Sequence, residues 1–179
     1  MLAYLFLVFA IAFRFMVFYG PHPANFNFTP VAAALLFFGS RIPRKWTFVP
    51  VVLFAGSDVL LNRLYGYPLG VDLLITWAWY AAIVLLGSVL IGNKASVLRV
   101  GGSSLLASIS FFVVSNFAVW AVWHNYPMTL AGLGECYAMG VPFFRNTVAG
   151  DLIFCAAFFG TAALIEMFSR HTAKNSLSA

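Results

Sequence analysis

Apolar residues run in long blocks along this chain, separated by short polar segments rich in proline or glycine. Six blocks stand out, at about 1–19, 29–41, 46–62, 72–92, 103–123 and 147–168. A helix needs about 20 apolar residues to cross roughly 30 Å of hydrocarbon, so the second and third blocks are short. Between those two, Gly39 to Lys45 contains a glycine, a proline and three cations, which predicts two helices rather than one long one. Period-2 alternation is missing throughout, which argues against a membrane barrel. The pattern predicts an all-α polytopic membrane protein: six transmembrane helices in one bundle, with residues 1–179 as a single transmembrane domain.

Two segments carry rival readings. Leu2 to Phe13 has the apolar character of a signal peptide, and Ala10-Ile11-Ala12 offers a small-residue cleavage site. No Lys or Arg precedes the run, however, and it continues past Arg14 to Tyr19, so a retained first helix is expected. The longest connection, about 124–146, is half apolar. It is expected to fold back onto the bundle as a loop, either as a lid or as a cover for the bundle end.

Composition narrows the class further. The chain is 63% hydrophobic and 8% charged, with a mean hydropathy of +0.94. A soluble domain carries about 25% charged residues, so soluble enzyme classes are excluded and membrane lipid is the expected surrounding. The net charge of +5 comes from ten scattered Lys and Arg with no basic stripe, so no nucleic-acid partner is expected. Their placement reports topology instead. With six spans, Arg41, Arg44, Lys45, Lys94, Arg99, Arg170 and Lys174 fall on one side, against Arg63 and Arg145 on the other. The positive-inside rule then puts both termini in the cytoplasm. Trp46 falls at the inner interface, and Trp120 and Trp123 at the outer one.

Polar residues inside the blocks are few and unevenly placed. At 1.5 Å per residue, Arg14, Asp58 and Asn116 lie roughly 20 Å from the inner ends of their helices. Asp151 lies roughly 6 Å below the outer surface by the same measure. Buried charges of this kind face a bundle interior or water, so Arg14 is expected to pair with Asp58 or Asp151. That layer reads either as an ion pair locking the bundle or as the polar floor of an outward-facing cavity. Two outer loops would roof such a cavity. In the first, Asn25, Asn27 and Thr29 alternate with Phe26 and Phe28 ahead of Pro30, which suits the first turn of a helix. The second holds Tyr137 and Asn146. The expected binding residues are thus Arg14, Asn25, Phe26, Asn27, Asp58, Trp77, Asn116, Trp120, Tyr137, Asn146 and Asp151.

Several chemistries lack their residues. There is no Walker A loop, no complete dinucleotide glycine pattern around Gly132 and Gly134, and no nucleophile elbow. His124 and Cys136 share one connection but have no further ligand at metal-site spacing. No catalytic residue, metal or cofactor is expected, and the chain is not expected to be an enzyme. Small-residue pairs at four-residue spacing, Ala78/Ala82, Ser103/Ala107 and Ala156/Gly160, allow close helix approach within the bundle or with a partner.

A resemblance adds to this reading. It rests on Asn25-Phe26 with Thr29-Pro30-Val31-Ala32-Ala33, Ser57-Asp58, Phe111-Phe112 with Ser115-Asn116-Phe117 and Trp120, and Tyr126-Pro127 with Thr129. Cys136-Tyr137 and Pro142-Phe143-Phe144, Asn146-Thr147 and Gly150-Asp151 complete it. From about residue 20 to 160 the chain resembles a family of small uncharacterised bacterial membrane proteins, itself similar to the substrate-binding S components of energy-coupling-factor (ECF) vitamin transporters. The resemblance implies six helices in a bacterial inner membrane, an outward-facing pocket for a vitamin-like solute, and a membrane coupling subunit with ATPases as partner. One position departs from it: where many S components carry an alanine-x-x-x-alanine docking pair in the first helix, Ala10 is followed by Arg14. Three functions follow as expectations. The first is uptake of a small solute; the alternatives are a membrane scaffold and an intramembrane enzyme.

Overall fold

The computed structural model describes residues 1–19 and 27–177, with side chains for 1–16 and 27–172. Within them the chain is helical and contains no strand. The helices are α1 (Leu2–Tyr19), α2 (Val31–Arg41), α3 (Phe48–Tyr65), α4 (Asp72–Leu86), α5 (Val97–Ala118) and α6 (Leu130–Leu177). A π-helical turn extends α4 through Gly87–Ile91, and another extends α5 through Val119–Trp123.

Among the described residues, four helical segments are long and apolar enough to cross a membrane: Arg44–Tyr65, Asp72–Ile91, Val97–Trp123 and Leu130–Thr172. Leu2–Met16 and Val31–Arg41 are apolar but shorter. The all-helical, membrane-type expectation therefore holds at the level of four bilayer-length helices. In the short separator, Pro43 precedes a single 3-10 turn at Arg44–Trp46, and α3 begins after it.

The short helix is the centre of the molecule. Every residue from Val31 to Ser40 is buried, and α2 touches α1, α4, α5 and α6. A helix surrounded on all sides needs no amphipathic stripe, which explains its unbroken apolar sequence. Two glycines set its contact with α4. A Cβ on Gly39 would stand 1.9 Å from the Val84 carbonyl oxygen, and one on Gly87 would stand 2.3 Å from that of Leu36. The two backbones therefore touch at reciprocal positions, a packing mode that only residues without a side chain permit. Around α2, Phe37 meets Phe6 and Phe159 edge-on, while Phe6 stacks on Phe158 at 4.1 Å between centroids.

One sequence expectation fails here. The connection expected as a loop over 124–146 is open only to about residue 129, because α6 begins at Leu130 and continues through Pro142. Its 48 residues span about 72 Å, more than twice a bilayer core. The half-apolar composition has a local cause: Cys136, Gly140, Phe143, Phe144 and Thr147 recur at helical spacing on one face. That face lies against the last turns of α5, where Tyr137 donates to the Val113 carbonyl at 2.9 Å and Phe144 meets Phe112. The segment does fold back on the bundle, but as helix.

Candidate functional site

Among the described residues, the two buried carboxylates between the helices each lie in a polar cluster. In the first, Asp58 on α3 is 4% exposed and forms an ion pair with Arg14 of α1. Arg14 also donates to Ser57 Oγ at 2.7 Å. From α4, one turn apart, Trp77 Nε1 donates to Asp58 Oδ2 at 2.9 Å and the Tyr80 hydroxyl donates to Oδ1 at 3.3 Å. The guanidinium stands 5.9 Å from the Phe54 ring centroid. Helices α1 and α4 thus supply the partners that the buried carboxylate on α3 needs.

In the second cluster, Asp151 of α6 accepts from Ser108 Oγ of α5 at 2.7 Å. Ser108 lies on one face of α5 with Phe111, Phe112, Ser115 and Asn116, at helical spacings of three, four, seven and eight. Asp151 continues the α6 face that contains Thr147 and Gly140. The pairs Ser108–Asp151, Phe112–Phe144 and Asn116–Cys136 run in opposite chain directions, so the two faces meet antiparallel.

Two adjoining cavities lie beside the seam between these faces. The larger, of about 370 Å³, lies between the second half of α5 and the start of α6, lined by Asn116, Ser115, Phe112 and Phe144 among others. The smaller, of about 150 Å³, reaches inward to Arg14, Tyr80, Trp79 and Asp151 and to the first turn of α2. Asn27, Phe111 and Thr147 line both, so the two form one bipartite hollow. Asn27 holds a left-handed backbone, with φ of 65°, which short polar side chains tolerate better than most. The turn after it rests on α6 at Gly150, where a Cβ would stand 3.2 Å from the Thr29 amide nitrogen.

The expected binding residues divide accordingly. Arg14, Asn27, Asn116 and Asp151 line the hollow. Asp58 and Trp77 belong to the ion-pair cluster behind it, and Asn146 is not among the lining residues. Trp120 donates to the Pro127 carbonyl at 2.9 Å, and Tyr137 to that of Val113, so both serve helix packing rather than the cavity wall. Asn25 and Phe26 lie outside the described residues. Sequence reasoning missed Tyr80, Ser108, Phe111, Phe112, Phe144 and Thr147. Helical spacing from the residues it did choose would have found most of them: Thr147 is four before Asp151, and Phe112 is four before Asn116.

Among the described residues, no group of three His, Cys, Asp or Glu is placed to hold a metal ion. Cys136 instead donates to the Asn116 carbonyl at 3.4 Å, and His124 Nδ1 lies 3.0 Å from that of Val122.

A family model matches residues 1–174, almost the whole chain. The chain belongs to the family of unknown function DUF6580. No curated protein and no solved structure matches it. The DUF6580 match runs from the start of α1 into the last turn of α6, so it includes the residues that line the bipartite hollow.

Proposed function

We propose that this chain is a membrane solute-binding protein for uptake, similar in design to the S components of ECF transporters. The bipartite hollow is the observation that carries this reading. It is a concavity of ligand size with apolar walls and few polar groups, the usual division of labour in small-molecule sites. Rings would hold the body of a vitamin-like solute, while Asn27, Asn116, Thr147 and Asp151 would orient it. Arg14 completes the wall and is held in place by Asp58. A protein that only packs against partners has no need of such a hollow.

In this reading six helices cross a bacterial inner membrane with both termini in the cytoplasm, and the hollow faces outward. Single cysteines in place of the exposed Lys45 and Asn93 should react with an impermeant maleimide only from the cytoplasmic side, and one at Asn125 only from outside. The background is a variant without the two buried native cysteines. Outside labelling at Lys45 overturns the orientation and the import direction with it. Ala10 is fully buried and Arg14 is turned inward to its ion pair. A coupling subunit with ATPases would therefore engage a face other than this part of α1.

One observation favours a second reading, a membrane scaffold: Ala78/Ala82 and Ala156/Gly160 lie on exposed faces, open to a partner helix. Filling the hollow separates the two. Ser115 is small and lines the larger cavity, so Ser115→Trp should occupy it without touching the ion-pair cluster. Mass spectra of extracts from the detergent-purified wild type should show a small molecule that Ser115→Trp lacks, while both elute alike on size exclusion. Equal extracts from the two proteins, or none from either, would leave the scaffold as the better account.

A further inference from the structure

Among the described residues, the buried polar layer contains one cation and two carboxylates, and they do not balance. Arg14 and Asp58 neutralise each other, with Ser57, Trp77 and Tyr80 completing their hydrogen bonds. Asp151 has no such partner among the described residues. It is 3% exposed, and its Oδ2 accepts from a neutral hydroxyl. Among the described residues, nothing donates to its Oδ1. The carboxylate lines the smaller cavity, as do the rings of Trp79, Tyr80 and Phe111. A buried charge without a counter-charge is costly in a bundle interior, and aromatic rings favour a cation over an anion beside it. Two features of the same wall act the other way: Arg14, whose charge is already met by Asp58, and the first turn of α2, whose dipole favours anions. Neither supplies Asp151 with a hydrogen bond.

We propose that the smaller cavity receives the protonated amine of an organic cation, with Asp151 as its counter-ion. The apolar or aromatic body of that molecule extends past Phe111 into the larger cavity, alongside the paired rings of Phe112 and Phe144. Resting on the solute-binding reading, this assignment adds the charge of the solute and the end by which it is held. An ammonium there would donate to Oδ1 while Ser108 keeps Oδ2, so the carboxylate gains a full set of partners.

The test uses three probes of one shape on the purified full-length chain: 2-phenylethylamine, 2-phenylethanol and 3-phenylpropionate, each titrated by calorimetry. The amine should bind at least about tenfold more tightly than the alcohol or the acid. Asp151→Asn, nearly isosteric, should weaken the amine by about 30-fold or more, the scale for removing one partner of a buried charge pair. Ser108→Ala keeps the carboxylate and should keep the preference. Equal or tighter binding of the acid or the alcohol overturns the proposal, as does unchanged amine affinity in Asp151→Asn or no amine binding by the wild type. The comparison among probes on the wild type holds even if a variant fails to fold. Solute binding itself is judged apart from this. An acidic or neutral molecule extracted from the wild type and lost in Ser115→Trp would preserve that reading while removing the amine.

Discussion

Asp58→Leu is expected to destabilise the protein by about 3–5 kcal/mol, the cost of leaving one member of a buried ion pair without its partner. Arg14 has only 18% of its side chain exposed and would lose its carboxylate. Trp77 and Tyr80 would lose an acceptor at the same time, at about 1–3 kcal/mol for each buried donor left unsatisfied. The double variant Arg14→Met/Asp58→Leu should recover only the part of the loss that comes from the stranded Arg14 charge, because Trp77 and Tyr80 still lack their acceptor. Thermal unfolding in one detergent, followed for the wild type, both single variants and the double, measures the coupling directly. An unchanged melting temperature in Asp58→Leu would mean that the pair contributes nothing. Arg14 and Asp151 line the same cavity, so such a result would point to Asp151 as the replacement acceptor. A double variant that is stable but yields no extracted solute would add Arg14 to the binding wall.

The second large effect is expected at the contact between α2 and α4. Gly87→Ala places a methyl 2.3 Å from a backbone oxygen and Gly39→Ala places one 1.9 Å from another. Neither obstacle is a flexible side-chain end, so the helices must move apart. Overpacking of a core typically costs about 1–3 kcal/mol, and occasionally more. With α2 enclosed on every side, each variant should reach the upper part of that range, or about 6–12 °C in melting temperature at 2–4 °C per kcal/mol for a chain of this length. The two substitutions share one contact. Once the first has separated the helices the second meets less resistance, so the double variant should cost clearly less than the sum of the singles. Gly160→Ala is the control, since its added Cβ meets nothing within 4 Å. A Gly87→Ala protein that melts with the wild type would show that α2 and α4 are not in backbone contact.

Composition and hydrophobic blocks determined the helical class, the bilayer as solvent, and the approximate positions of α1 to α5, but not the start of α6, which begins at Leu130 inside the expected loop. Apolar runs with no charge can be satisfied only by backbone bonds internal to a helix when the surroundings are lipid, so local sequence decides the element. The pairing of Arg14 with a carboxylate was legible for a related reason: two opposite charges at one depth have few other ways to avoid lipid. Which carboxylate it chose was not legible. Asp58 and Asp151 differ little in estimated depth, and the choice rests on Trp77 and Tyr80 donating to Asp58 from α4 while Ser57 beside it accepts from Arg14. Only helix packing brings those groups together. The same holds for α2, whose 11 residues read as a defective span and are instead the enclosed centre of the bundle. Its depth in the fold depends on Gly39 and Gly87, which lie 48 positions apart and act as one contact. The hollow, too, is a tertiary product. Its walls come from two helical faces and a turn, and each face is periodic in sequence. Whether facing stripes close on each other or stand apart depends on how the helices cross, and one-dimensional periodicity carries no record of that.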